Sequence, residues 1–201
     1  ADMHFLFDHG YLPRVMAKIE LFKIPVLRWL MHKVGVIPVS RRSRHASDSL
    51  RAAEEALAAG ECVLLFPEGT ITRDPNGWPM VAKTGVARMA FATKAPVIPL
   101  AQWGAVDLIP HGAKFPRLLP RKRIIAQAGK PVDLTDLYDQ KPTGKVLREA
   151  TARIMAAVTE QMAEIREEEP PTFIFDMRVM GDPFAKPSKR IRRSPREGTS
   201  D

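Results

Sequence analysis

Cys62-Val-Leu-Leu-Phe66 runs directly into Pro67-Glu-Gly-Thr70. Five apolar residues closed off by proline and glycine predict a short strand buried on both faces, with a loop at its carboxyl end. Pro67 stiffens the exit from the strand. Gly69 lets backbone approach a ligand closely. Glu68 and Thr70 put polar groups at the carboxyl end of a strand, where open α/β sheets bind ligands. Taken alone, the segment reads equally as an ordinary strand-to-loop turn that contains a glutamate.

Outward from this strand, the pattern alternates. Gly35-Val-Ile-Pro-Val-Ser40 predicts a strand, and Ser47 or Asp48 caps a helix that presents Leu50, Ala53 and Leu57 and stops at Gly60. Gly85 to Thr93 predicts a helix with Val86, Met89 and Ala90 inward, followed by an apolar strand over Pro96–Ala101. Arg123–Gln127 predicts a further strand. Thr143 to Arg166 predicts a long helix with Leu147, Ala150, Ile154, Val158, Gln161 and Ile165 on one stripe, ended by Pro170-Pro171. Lys18 to Val34 has helical spacing interrupted by Pro25, so two short helices or one kinked helix are expected there. This stretch packs in the core, or it rests Phe22 and Trp29 in a bilayer interface. Strands alternating with helices define an α/β class: one layered domain with a mixed, mainly parallel sheet flanked by helices.

Composition narrows the function classes. With 201 residues the chain has room for one domain and a tail. The domain is expected over residues 1–169, and 170–201 as a Pro-rich linker and disordered basic tail. A single cysteine, Cys62, excludes an internal disulfide and a multi-cysteine zinc site, and fits an intracellular setting. Cys62 itself reads as a small core hydrophobe. The net charge is +8, and half of it lies in Lys186–Asp201. Such a tail is a solubilising terminus or is drawn to anionic lipid or nucleic acid. No run of 18 apolar residues is present. His32, His45 and His111 lack partners at metal-ligand spacing, so no metal is expected.

The motifs then fall in order. Gly35-x5-Arg41, Phe66-Pro-Glu-Gly-Thr70 and Val97-Ile-Pro-Leu100 stand in sequence, with Lys18-Ile-Glu-Leu21 before them and Lys83-Thr-Gly85 opening a helix. Together they resemble the glycerolipid acyltransferase family, which includes the 1-acylglycerol-3-phosphate acyltransferases. The resemblance covers Asp2 to Leu100 well and reaches loosely to the long helix. The family's first block is His-x4-Asp. His4-Phe-Leu-Phe-Asp8 is one residue short of it, and on a helix that change turns the two side chains apart. Asp2, sixteen residues before Lys18, aligns better with the motif aspartate. The motif histidine is then expected four residues before Ala1.

The resemblance implies acyl transfer from acyl-CoA or acyl carrier protein to the free hydroxyl of 1-acyl-glycerol-3-phosphate, giving phosphatidate in phospholipid biosynthesis. A hydroxyl needs a base to attack, and a carboxylate steadies the histidine that serves. Asp2 is assigned that supporting part. Glu68 contacts the glycerol hydroxyl or orders the cations that hold the phosphate. Lys18, Arg41, Arg73 and Lys83 are candidate phosphate ligands, Arg42 or Arg44 being able to replace Arg41, and Gly69, Thr70 and Gly85 line the site. Lys18 and Arg73 read equally as solvated surface charges. No metal or organic cofactor is implied; the thioester is a co-substrate. The expected partners are the acyl donor, a lysophospholipid and the membrane surface, with no specific nucleic acid. The expected place is the cytoplasmic face of the membrane. Three alternatives remain: another glycerol phosphate or lysolipid acceptor, a non-catalytic lipid-binding protein, and a nucleic-acid binder suggested only by the charge.

Overall fold

The computed structural model describes residues 13–39, 46–113 and 115–185, and of residues 46–49 the backbone alone. Strand β1 (Arg14–Lys18) is followed by a 3-10 turn (Ile19–Lys23) and helix α1 (Pro25–Lys33). Pro25 sits at the first position of α1, where its missing N–H costs nothing and its fixed φ suits a helix. The expected break in the Lys18–Val34 stretch therefore falls at Ile24. Strand β2 (Ile37–Val39), helix α2 (Ala46–Ala58) and strand β3 (Val63–Leu64) follow. Helix α2 starts ahead of Ser47 and Asp48, so neither is the cap expected of it.

Strand β1 lies between β2 and β3, and both pairings are parallel. The pattern does not signal β1, because Arg14 and Lys18 flank only three apolar residues. The strand expected to be buried on both faces is instead, among the described residues, an edge. Only Val63 and Leu64 pair, Cys62 to Leu65 are half-buried, and Phe66 is exposed.

Helix α3 runs Gly85–Thr93 as expected, and Val86, Met89 and Ala90 are buried. Strand β4 (Leu100–Trp103) pairs antiparallel with β5 (Ile125–Ala128). The expected strand over 96–101 is shifted because two of its first four residues are prolines. Its early part still runs along its neighbour: Gly129 and Val132 donate their N–H groups to Pro99 and Val97, both at 2.9 Å. Short helices α4 (Ala105–Leu108) and α5 (Thr135–Tyr138) precede the long α6 (Gly144–Arg166). Thr143 caps α6 by accepting from the Val146 N–H. Helix α6 ends at left-handed Glu167, ahead of the proline pair.

Three apolar clusters join the layers. Val86, Ala87 and Ala90 of α3 meet Leu147, Ala150 and Ile154 of α6. Ile37 of β2 meets Ala53 and Ala56 of α2 and Met89 of α3. Trp78, Ala101 and Met162 form the third. The chain after α6 also packs back on the domain. Phe175 is buried, Val81 donates its N–H to the Phe175 carbonyl at 2.9 Å, and helix α7 (Met177–Met180) follows. Contacts with the domain thus continue past residue 169 at Phe175, Asp182 and Phe184; residues 186–201 lie outside the described residues.

Candidate active site

The parallel sheet sets the position of the site. Strands β1, β2 and β3 point the same way, so their carboxyl ends share one edge. Lys18 pairs with Val39, and Val15 with Leu64, so three residues on from that pair stand Lys18 and Pro67. This is the edge where α/β sheets take ligands. Lys18 is exposed there. Asp2 and Arg41, with the Arg42 and Arg44 alternatives, lie outside the described residues, as do His4, Asp8 and His45.

From this edge a long loop, residues 66–84, leaves and returns. Its ends are tied together by the Lys83 N–H, which donates to the Pro67 carbonyl at 3.0 Å. Gly69 holds φ +70° and donates its N–H to the Phe66 carbonyl at 2.9 Å, a tight turn that a side chain would strain. Glu68 is driven inward by this turn. One of its carboxylate oxygens, Oε2, is buried with no hydrogen-bond partner among the described residues. Burial pushes its pKa up from 4.5 to about 7; contacts with the Met80 backbone and the Thr72 side chain pull it down less, and Asp74 adds to the rise.

In the far half of the loop the buried carboxyl is paired, although the Nε of Arg166, which covers this half, is buried with no hydrogen-bond partner among the described residues. Asp74, also buried, accepts from the N–H groups of Asn76 at 2.8 Å and Trp78 at 3.2 Å. The Thr72 hydroxyl donates to the Trp78 carbonyl at 2.6 Å. Arg166 clamps this half to α6. It stacks over Trp78 and Trp103 and donates to the Asn76 carbonyl at 2.8 Å. Asp74-Pro-Asn-Gly77 is a turn signature that marks this half in the sequence, with Gly77 at φ +79°. The Arg166 clamp has no such signal.

The other expected residues divide. Lys83 is exposed beside the start of α3, and among the described residues its ammonium has no partner. Thr70 is half-buried, and its hydroxyl is likewise unpaired there. Gly85 opens α3 with no side chain capping the helix, and a Cβ on it would meet nothing within 4 Å. Backbone N–H groups at that end therefore stay available. Arg73 points elsewhere: its Nε lies 3.7 Å from Asp182 and its Nη1 lies 3.4 Å from His111 Nδ1. His111 in turn stacks on Phe184. Cys62 is half-buried, and burial raises its thiol pKa, which disfavours the thiolate a nucleophile needs.

The geometry is that of a sheet edge carrying, among the described residues, an unsatisfied carboxyl, an unpaired lysine and a helix start without a side-chain cap. Residues 3–103 match the family model for acyltransferases, and the chain belongs to that family. It is 32% identical over 114 residues to the chloroplastic 1-acyl-sn-glycerol-3-phosphate acyltransferase BAT2 of Brassica napus, covering 56% of this chain and 33% of that protein. It is 32% identical over 121 residues to the chloroplastic 1-acyl-sn-glycerol-3-phosphate acyltransferase LPAT1 of Arabidopsis thaliana, covering 56% of this chain and 32% of that protein. The chain thus spans about a third of the length of these relatives. Its fold is similar to the crystal structure of the 1-acyl-sn-glycerophosphate (LPA) acyltransferase PlsC from Thermotoga maritima. The TM-score is 0.54 at 25% identity, covering 80% of this chain and 59% of that one.

Proposed function

We propose that the chain carries the acyl-transfer domain of a 1-acyl-glycerol-3-phosphate acyltransferase. The free hydroxyl of the lysophosphatidate attacks the carbonyl carbon of an acyl thioester. A C–O bond forms, the C–S bond breaks, and the hydroxyl proton passes through a base to the departing thiol. The donor is acyl-CoA or acyl carrier protein, and the product is phosphatidate. An activated thioester needs a base and positioning only, so the scheme uses no metal or organic cofactor.

The observation that carries this reading is the unpartnered Glu68 Oε2 at the carboxyl edge of the sheet. A buried polar atom without a partner is costly, and a glycerol hydroxyl donating to it removes that cost. Lys83 and the α3 start lie next to the same loop end and suit the phosphate. Lys18 adds positive charge along the edge. The base is assigned to the histidine of the family's first block, with Asp2 as its charge partner. The acceptor is a lipid, so the protein works at a membrane surface, on the cytoplasmic face where both donors are made. Helix α1 suits this contact. Val26, Trp29 and Leu30 are exposed on it, beside Lys23, Arg28 and Lys33.

The test is phosphatidate formation from lysophosphatidate in mixed micelles with each donor, using the protein with whatever residues precede Ala1 in its natural chain. Glycerol 3-phosphate and other lysolipids run in parallel. Turnover that disappears in Glu68→Gln supports the reading. Turnover of another acceptor alone replaces the acceptor, and no turnover from folded protein removes the enzyme reading.

A further inference from the structure

The segment between α4 and β5 is built unlike the rest of the surface. Its base is fixed: Arg117 donates its N–H to the Leu108 carbonyl at 2.7 Å, and His111 stacks on Phe184. Beyond that base the large apolar side chains face solvent. Phe115 is 80% exposed, Leu118 68% and Leu119 84%. Their cost in water is uncompensated, because they cover no core of their own.

Along the chain the flanking charge has one sign, although Arg123 lines a pocket that it shares with Asp107 and Glu168. Arg117, Arg121 and Arg123 are exposed and Lys122 is half-buried, and no Asp or Glu occurs from Leu108 to Val132. A protein partner's apolar patch would match the three apolar residues but leave the cations Arg117, Arg121 and Lys122 unanswered. An anionic bilayer matches both features at once: acyl chains for the apolar tip, and lipid phosphates for the cations at headgroup depth.

We propose that residues 115–123 are a membrane-docking loop that seats Phe115, Leu118 and Leu119 among the acyl chains of an anionic phospholipid surface. Arg117, Arg121 and Lys122 sit on its phosphates. The proposal deepens the membrane half of the reading above and rests on it; it uses no step of the acyl transfer. The basic stretch at 186–201 is a second source of lipid attraction in the sequence, so the test must report on this loop itself.

A fluorophore sensitive to polarity is attached at Leu118→Cys in a Cys62→Ser chain, with Lys145→Cys as the control position on α6. Vesicles of phosphatidylcholine containing phosphatidylglycerol, and of phosphatidylcholine alone, are added without substrate. The label at 118 is expected to shift to the blue with the anionic vesicles only, less at high salt, while the label at 145 does not. Phe115→Ser, Leu118→Ser and Leu119→Ser together are expected to weaken vesicle binding by roughly tenfold or more at unchanged Tm. The proposal is overturned if the protein sediments with vesicles while the label at 118 keeps its aqueous emission, or if it does not sediment at all. It is equally overturned if the triple variant turns a self-associated protein into a monomer without lipid, which makes the patch a protein interface. Failure to make phosphatidate by a protein that docks brings down the activity reading and leaves this one standing.

Discussion

The two halves of the 66–84 loop bury carboxyl groups six residues apart and treat them in opposite ways. At the tip, Asp74 Oδ1 accepts two backbone N–H groups, and Thr72 and Asn76 are tied to Trp78 and Arg166. At the mouth, Glu68 Oε2 has no partner, Lys83 has no counter-charge among the described residues, and the start of α3 has no side-chain cap. Burial alone does not distinguish a structural carboxylate from a functional one; satisfaction does. A paired polar group helps to hold a loop in one shape. An unpaired carboxylate costs stability and is open to a ligand that completes it, whereas the one unpaired nitrogen of Arg166 at the tip belongs to a guanidinium whose other nitrogens are bonded.

That contrast is broken most directly at its two carboxylates. Glu68→Gln keeps the shape and removes the acidity. It is expected to cut turnover by roughly 1000-fold, about 4 kcal/mol in the transition state, with Tm unchanged or raised at neutral pH and above. Full turnover in this variant would make Glu68 as structural as Asp74. The protonation of Glu68 gives the next effect. Its folded pKa of about 7 lies above its ordinary 4.5, so the folded protein holds a proton there that the unfolded chain has lost. The resulting stability is full below about pH 4.5 and disappears as pH rises through about 7, a contribution of at most about 3 kcal/mol. Urea melts across that window should show Glu68→Gln with a flatter pH slope than the parent; equal slopes would show that Glu68 is not the titrating group.

Asp74→Ala should act the other way round. It leaves the buried Trp78 N–H and the more exposed Asn76 N–H without their acceptor and is expected to cost about 1 to 3 kcal/mol of stability. Calorimetry at one pH measures this. Lost turnover is expected to return in part at low temperature, where the loop refolds. Unchanged Tm with abolished turnover would move Asp74 into the active machinery.

Much of the frame around this contrast was legible in the residues, but the part Asp74 plays was not. The apolar run, the Pro-Glu-Gly loop, α3, and the helix at 144–166 follow from periodicity and turn chemistry that act over a few residues. The central strand β1 did not show, since its place depends on β2 and β3, which are distant in sequence. The edge position of β3 was hidden for the same reason: an apolar run records burial, but not how many strands flank it. Within the site, residue type pointed to Glu68 and Lys83. It could not say that Arg73 leans on Asp182, because that pairing requires the chain after α6 to fold back, and a proline pair reads locally as an ending.

The cations extend the comparison to its smallest effects. Lys83 at the mouth and Arg73 toward the tip both read as phosphate ligands. Among the described residues Lys83 has no partner, whereas Arg73 has Asp182 at 3.7 Å and His111 beside it. Lys83→Ala is expected to raise the KM for the phosphate-bearing acceptor by about tenfold, near 1.4 kcal/mol, with the KM for the thioester and the Tm unchanged. Arg73→Ala is expected to leave acceptor KM within about twofold and to lower stability by less than about 1 kcal/mol, the size of a partly exposed ion pair. Steady-state kinetics on the two variants decides between the halves. If Arg73→Ala raises the acceptor KM and Lys83→Ala does not, the Asp182 contact must open when substrate binds, and the anion is held from the C-terminal side of the loop. If both raise it equally, the acceptor phosphate lies between them, and the division into a paired tip and an open mouth fails for the cations while still holding for Glu68 and Asp74.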